Sequence, residues 1–214
     1  YAVVRTAACD VTVSNVTIES SGYGIAMFGE MTAENAMAAG AEANYSKLTI
    51  DNVTVVSESP AVSGNGSSNT NGTEFVIKDS TLTSTKACAI YHPQYGNLTI
   101  EGKTTITGVT GIEMRAGNLT IADENVTVVA TGAYEAVENG GGTTTSGIAI
   151  AVSQHTTELP VTVNITAGTF KATGENGKAF YEVDTVTSGI PSKDVNVSIC
   201  GGSFDAAVGS ANIS

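Results

Sequence analysis

Residues 98–121 read LTIEGKTTITGVTGIEMRAGNLTI, and this stretch decides the fold. It begins with Leu98-Thr99-Ile100 and ends with Leu119-Thr120-Ile121, so the same triplet returns after 21 residues. Side chains of a β-strand alternate between the two faces of its sheet, which places the aliphatic residues on one side and Thr on the other. A strand motif that recurs at this short interval indicates a solenoid of stacked coils.

The apolar-polar-apolar triplet occurs seven times along the chain, which predicts about seven coils. The triplets start at Val11, Leu48, Phe75, Leu98, Leu119, Val161 and Val195. The longer spacings are explained by insertions, which we place at 29–47, 63–74, 130–146 and 184–194. The first insertion is rich in Ala, Met and Glu over residues 30–39 and predicts a short helix. The other three are rich in Gly, Ser, Thr and Asn and predict exposed loops.

A residue that tolerates the left-handed backbone conformation follows each triplet. These residues form a predicted ladder of structural turns: Asn15, Asn52, Asp79, Gly102, Asn125, Gly168 and Gly202. A second strand follows each turn, as in Val16-Thr17-Ile18, and a third follows in most coils, as in Gly24-Ile25-Ala26-Met27. Three short strands per coil predict an all-β, single-stranded parallel β-helix that forms one domain over residues 1–214.

Composition excludes several classes of partner. The formal net charge is -12, with only nine Lys and Arg residues, so the chain repels nucleic-acid phosphates and anionic lipid surfaces. No run of 18 apolar residues occurs, so we expect no membrane insertion. The three cysteines, Cys9, Cys88 and Cys200, are odd in number and far apart, so they imply no disulfide framework. Cys88 aligns with Ile112 in the third strand and is expected to point inward as a small core residue.

The chain resembles the right-handed, pectate-lyase-like parallel β-helix repeats of large secreted and cell-surface proteins of bacteria. The resemblance is carried by residues 89–100 and 111–121 and by the ending Ile199-Cys200-Gly201-Gly202-Ser203-Phe204. It implies a right-handed helix, a secreted or cell-surface location, and a role as an adhesin stalk or a glycan-contacting module. Some members of the family are polysaccharide lyases or glycoside hydrolases. Capping coils are not evident at either end, which favours a fragment or mature segment of a larger surface protein.

The candidate binding residues lie on and beside the third strand: Tyr91, His92, Tyr95, Glu113 and Arg115. Glu113 and Arg115 are two positions apart, so we expect them on one outward face, either as an exposed surface pair or as part of a small sugar-binding patch. His92 precedes Pro93 and is expected as a solvated residue at a strand end. A glycoside hydrolase needs paired carboxylates, and a lyase needs carboxylates for Ca²⁺ with a basic residue. Glu113 has no carboxylate partner in the pattern, so the sequence assigns no catalytic residue, cofactor or metal site.

Three functions remain open at this point. The first is a non-catalytic extracellular structural or adhesion module: a stalk, adhesin or filament subunit that contacts glycans, a host surface or a neighbouring cell. Open sheet edges at its terminal coils would also permit end-to-end self-association. The alternative is a polysaccharide lyase or glycoside hydrolase. The third is an ice-binding solenoid, suggested by a ladder of outward threonines at Thr12, Thr49, Thr99, Thr120 and Thr162.

Overall fold

The computed structural model describes residues 1–6, 9–27, 46–65, 73–136, 142–183 and 192–210. The regular structure in these ranges is entirely β-strand, arranged in two sheets. No helix with the length and apolar character needed to cross a membrane occurs in these ranges. The helix predicted for residues 30–39 lies outside the described residues.

The third strand of each coil belongs to an eight-stranded sheet in which neighbouring strands come from successive coils. Its strands are β1 (Ala2–Thr6), β3 (Tyr23–Met27), β5 (Val62–Ser63), β8 (Ile90–His92), β11 (Ile112–Met114), β14 (Ile148–Val152), β17 (Lys178–Glu182) and β20 (Ala207–Ser210). They pair in this order, and every pairing is parallel.

The first and second strands of the coils share a twelve-stranded sheet. Its strands are β2 (Asp10–Ser20), β4 (Lys47–Ser57), β6 (Thr73–Lys78), β7 (Thr81–Ser84), β9 (Gly96–Glu101), β10 (Thr105–Gly108), β12 (Gly117–Ile121), β13 (Thr127–Ala130), β15 (Val161–Ile165), β16 (Thr169–Ala172), β18 (Val195–Ile199) and β19 (Ser203–Phe204). The two sets join in one sheet because β2 and β4 run through the first bend without interruption.

Each coil consists of a first, a second and a third strand, after which the chain begins the next coil with a strand that pairs with the first strand of the preceding coil. In the coil that begins at β9, the chain passes through β10 and β11 and comes back as β12, with Leu98 opposite Leu119. Seven first strands are present in the described ranges: β2, β4, β6, β9, β12, β15 and β18. The predicted parallel β-solenoid is therefore confirmed, with two sheets because the first two strand positions are continuous.

The core is a column of side chains stacked from coil to coil. Leu48, Phe75, Leu98, Leu119 and Val163 occupy equivalent positions of successive first strands, and each is fully buried. Removing an aliphatic or aromatic side chain of this size from water contributes about 1.5–3 kcal/mol. Because the alternation of the triplet repeats, this contribution recurs in each coil between β4 and β15, whereas the equivalent residues Val11 and Val197 of the terminal coils are only partly buried.

The last two predicted triplets are displaced by two residues. Leu119 pairs with Val163 and not with Val161, and Val163 pairs with Val197. The apolar pattern of β15 begins two residues before that of β12, because Val161 lies opposite Gly117. A shift of two residues keeps the same side chains on the same face, because the side-chain period of a strand is two. The inward direction was thus predicted correctly while the register was wrong.

The turn after the first strand has a left-handed backbone in six of the seven predicted ladder positions. Positive φ angles are found at Asn15 (55°), Asn52 (55°), Asp79 (50°), Gly102 (62°), Gly168 (103°) and Gly202 (99°). Asn125 does not have a positive φ, so the prediction is wrong there. Its backbone N–H and its side-chain amide each donate to Asp123 Oδ1 at 2.9 Å, which closes this longer turn in a different way.

Candidate functional site

The predicted binding residues are divided between the outer face of the eight-stranded sheet, the corner that follows it, and, for His92, the core. Tyr91 and Glu113 are direct neighbours on β8 and β11, and both point away from the core column. Glu113 and Arg115 are nevertheless completely buried, and Tyr91 is half-buried. The prediction of an exposed surface pair is therefore wrong, and the reason is a covering segment of the chain.

The covering segment is formed by residues 142–146, which belong to the predicted insertion between β13 and β14. Thr144 donates to Glu113 Oε1 from its backbone N–H (2.9 Å) and its hydroxyl (3.1 Å). Thr145 donates to Glu113 Oε2 from its hydroxyl at 2.8 Å and from its N–H at 3.4 Å. Both carboxylate oxygens are thus occupied by the segment that lies over them, which fixes that segment on the sheet.

Arg115 completes this buried cluster. Its Nη1 lies 3.4 Å from Glu113 Oε1 and 3.3 Å from Thr144 Oγ1, and it also donates to the carbonyl of Gly142. Its Nη2 lies 3.5 Å from the carbonyl of Gln154. A buried guanidinium costs free energy unless it is paired, and here it joins β11, the covering segment and the residues that follow β14. The pair therefore acts as an internal attachment point.

Burial governs the protonation of the groups around this cluster. It raises the pKa of Glu113, an effect that the neighbouring Arg115 opposes. It raises the pKa of Tyr91 to about 12, so the phenol is neutral. Glu113 cannot exchange a proton with an external substrate because no part of its side chain reaches solvent.

His92 is part of the core and not a solvated residue at a strand end. Its ring packs edge-on against Phe75, with ring centroids 5.4 Å apart, and its Nδ1 lies 3.0 Å from the carbonyl oxygen of Ala116. It pairs with Met114, so it occupies an inward position of β8. Burial lowers the pKa of His92 to about 4.

The predicted alignment of Cys88 within the third strand is also incorrect. Ile90 pairs with Ile112, so the predicted alignment of Cys88 with Ile112 is wrong by two residues. Cys88 precedes β8 and is buried, and burial raises the pKa of its thiol well above the ordinary value. A thiol in this state is a poor nucleophile.

Replacing His92 with methionine is expected to remove a pH-dependent loss of stability. The pKa of an unfolded histidine is about 6.5, so below that pH the unfolded chain binds a proton that folded His92 does not bind until about pH 4. Neutral His92 therefore costs the folded chain nothing above pH 6.5. As the pH falls from 6.5 toward 4, the free energy of unfolding drops by about 3 kcal/mol in all. Methionine suits position 92 because Met114 occupies the equivalent position of the neighbouring coil.

The measurement is the free energy of unfolding in urea, at pH 7 and pH 4.5, for both proteins. We expect the difference between wild type and His92→Met to shift in favour of the variant at pH 4.5. Equal pH profiles for the two proteins would show that His92 takes up its proton as readily in the folded chain as in the unfolded one.

Tyr95 lies at the corner between β8 and β9 and is 43% exposed, so the structure separates it from the buried cluster. Its carbonyl accepts a hydrogen bond from Thr73 N at 3.0 Å. Gln94, one residue earlier, is fully buried against Gly64, where a Cβ would lie 1.8 Å from Gln94 Oε1. A larger residue at position 64 would therefore displace the side chain of Gln94.

A cleft of about 380 Å³ opens on the same outer face, beside the covering segment. It is lined in part by Tyr23, Ser63, Tyr91, Thr143 and His155. Sequence reasoning identified only Tyr91 among these residues. Within the described ranges, no group of three or more His, Cys, Asp or Glu side chains is arranged to hold a metal ion.

A signal for the covered face does exist in the sequence. The run Ile148-Ala149-Ile150-Ala151-Val152 is apolar at every position, and all five residues of β14 are buried. Such a run is typical of a strand with both faces covered. The small residues Ala149 and Ala151 lie on the outer face, where the first strands carry threonine.

Comparison with models of known protein families, with curated proteins and with solved structures gave no match.

Proposed function

We propose that the chain is a non-catalytic structural and adhesion module of an extracellular β-helix protein, similar to the surface repeats of bacteria. In this proposal the stacked coils supply a rigid support, and the connections that leave the coils supply the contacts with a glycan, a host surface or a neighbouring cell. Loops on a rigid support commonly carry binding functions in repeat proteins.

The observation that best supports this proposal is the corner from which most of the long connections leave. The connections 28–46, 64–72, 153–160 and 183–194 all run from a third strand to the next first strand. In the central coils the same corner is crossed by only 93–95 and 115–116. Connection length therefore varies strongly at this corner, which we call the variable corner. One further long connection, 131–147, leaves a second strand and carries the covering segment.

The buried cluster supports a non-catalytic role. Glu113 has both oxygens bonded to the covering segment, and no Asp or Glu lines the cleft in the part of the chain that the structure describes. A polysaccharide lyase or glycoside hydrolase with its site at Glu113 would need this carboxylate to reach a substrate. Ice binding finds little support, because Val76 and Asn164 interrupt the threonine ladder.

End-to-end self-association is part of the proposal. In the last described coil, Val197 and Val208 are 37% and 51% exposed. The outer edges of β18 and β19 carry no further strand among the described residues. Unpaired strand edges can bind further strands, so a second copy is a suitable partner.

The test is the binding of the labelled chain to arrays of glycans and matrix proteins and to bacterial and animal cells. Thr156→Arg, at the exposed Thr156 of the variable corner, is expected to weaken binding at least about fivefold. Thr54→Arg is the matched control, because Thr54 is also exposed but lies on the second strand of its coil.

Sedimentation of the same samples measures self-association, which we expect to rise with concentration. The proposal fails if the chain is a strict monomer that binds none of these surfaces. Release of reducing sugars or unsaturated uronates from polysaccharides by the chain would contradict the non-catalytic role.

A further inference from the structure

The cleft beside the covering segment has the size and construction of a ligand site. Its volume of about 380 Å³ falls within the range of small-molecule sites, roughly 300–1,000 Å³. Tyr23 and Tyr91 contribute aromatic side chains, and Ser63 and Thr143 contribute hydroxyl groups. An apolar lining with a few polar groups is typical of sites that fix the orientation of a ligand.

The spacing between strands of the eight-stranded sheet sets the distance between Tyr23 and Tyr91 along the solenoid. Tyr23 begins β3, Ser63 ends β5 and Tyr91 is the middle residue of β8, and these three strands are consecutive neighbours. Ser63 and Tyr91 are paired in register. Strands lie about 4.8 Å apart, so β3 and β8 are separated by roughly 10 Å along the solenoid. Tyr23 also lies three positions before Ala26, the residue of β3 opposite Ser63, so the cleft crosses the three strands obliquely and suits an elongated ligand.

One wall of the cleft is held in place before any ligand binds. Gly142 and Thr143 form this wall, and the next residue, Thr144, donates its N–H to the buried Glu113 at 2.9 Å. The carbonyl of Gly142 accepts a hydrogen bond from Arg115. A wall fixed by a buried ion pair reduces the loss of conformational freedom on binding.

The lining carries no charge among the described residues. No Asp, Glu, Lys or Arg lines the cleft, and the polar groups are hydroxyls, the Asn65 amide, backbone groups and His155. Burial, together with the nearby Arg115, lowers the pKa of His155, so its ring is neutral at pH 7. An anionic ligand would find no cation here and would meet a chain of net charge -12.

We propose that this cleft binds a neutral oligosaccharide, with sugar rings packed on Tyr23 and Tyr91 and sugar hydroxyls bonded to Ser63 and Thr143. Sugar rings present an apolar C–H face and polar edges, which match aromatic faces flanked by hydroxyl and amide groups. The inference rests on the proposed adhesive function and specifies its ligand class. It excludes acidic polysaccharides as the ligand of this cleft.

The experiment is isothermal titration of the chain with cellotetraose, mannotetraose and xylotetraose, and with tetragalacturonate as the anionic comparison. We expect at least one neutral oligosaccharide to bind and tetragalacturonate not to bind. Tyr91→Ala should weaken binding at least about tenfold through the loss of ring contact. Tyr181→Ala is the matched control, because Tyr181 is likewise a half-buried tyrosine on the outer face of the eight-stranded sheet but lies outside the cleft, and it should leave the affinity unchanged.

A second variant covers the case in which Tyr91→Ala fails to fold. Thr143 is exposed at the rim, so Thr143→Trp should fold normally and obstruct the cleft, which abolishes binding. The inference is overturned if no neutral oligosaccharide binds, if tetragalacturonate binds instead, or if neither Tyr91→Ala nor Thr143→Trp lowers the affinity. If no neutral oligosaccharide binds but the labelled chain still binds glycan arrays, matrix proteins or cells, the adhesion proposal stands and only this ligand class is wrong. If the chain binds neither the oligosaccharides nor these surfaces, both proposals fail.

Discussion

Replacing Arg115 with methionine is expected to lower the free energy of unfolding by about 3–5 kcal/mol at pH 7. The substitution leaves the carboxylate of Glu113 fully buried without its counter-charge. It also removes the hydrogen bonds from Arg115 to the carbonyls of Gly142 and Gln154. Unfolding in urea at pH 7 gives the loss directly.

The control is the double variant Glu113→Gln with Arg115→Met. No charge remains buried in that protein, so much of the lost stability should return, as is found when both members of a buried ion pair become neutral. A double variant as unstable as Arg115→Met alone would show that the loss comes from packing around the arginine and not from the uncompensated carboxylate.

Acidification should partly rescue Arg115→Met. Burial raises the pKa of Glu113 in the folded chain, and removing the guanidinium that opposes this shift raises it further. A group whose pKa is raised by folding contributes full stability below its unfolded pKa and loses it as the pH rises through its folded pKa. The deficit relative to wild type should therefore shrink as the pH is lowered from 7 toward 4.5.

Hydrogen exchange offers a second readout at the covering segment. The N–H groups of Thr144 and Thr145 donate to Glu113, so their protection depends on the position of this carboxylate. In Arg115→Met these two amides should exchange faster, while the amide of Leu119 in β12 should be less affected. Local loss of protection would support the attachment of the covering segment through the buried pair.

The sequence was sufficient to predict the core side chains of the central triplets, although not the inward position of His92. The first and third residues of Leu98-Thr99-Ile100 and of Leu119-Thr120-Ile121 are 0–1% exposed. Side chains alternate along a strand, so these two residues of each triplet share the inward face. Register was less certain, since apolar residues in phase extend beyond the triplet in β15. Val161 and Val163 both satisfy the pattern, and only pairing with β12 distinguishes them.

The candidate site could be predicted only in part. Strand periodicity placed Glu113 on the outer face of the third strand, which is where it lies. It could not reveal that residues 142–146 fold back over that face, because this contact depends on the path of an insertion and not on the repeat. The burial of Glu113 and Arg115, and the position of the cleft beside them, both follow from that path.

Replacing Phe75 with alanine is expected to lower the free energy of unfolding by about 3–5 kcal/mol, the range found for large-to-small changes in packed cores. Phe75 is fully buried, lies between Leu48 and Leu98 in the column, and packs its ring against His92. Alanine would leave a cavity that the two flanking coils cannot close, because both are held by their own parallel pairings.

Phe75→Leu is the matched variant, because leucine already occupies the equivalent position of both adjacent coils. It should cost less than about 1.5 kcal/mol, since the change conserves apolar character and most of the volume. Urea unfolding of the two variants measures the difference. If Phe75→Ala were no more harmful than Phe75→Leu, side chains of successive coils would not pack on one another, and the stacked column could not be what holds the solenoid together.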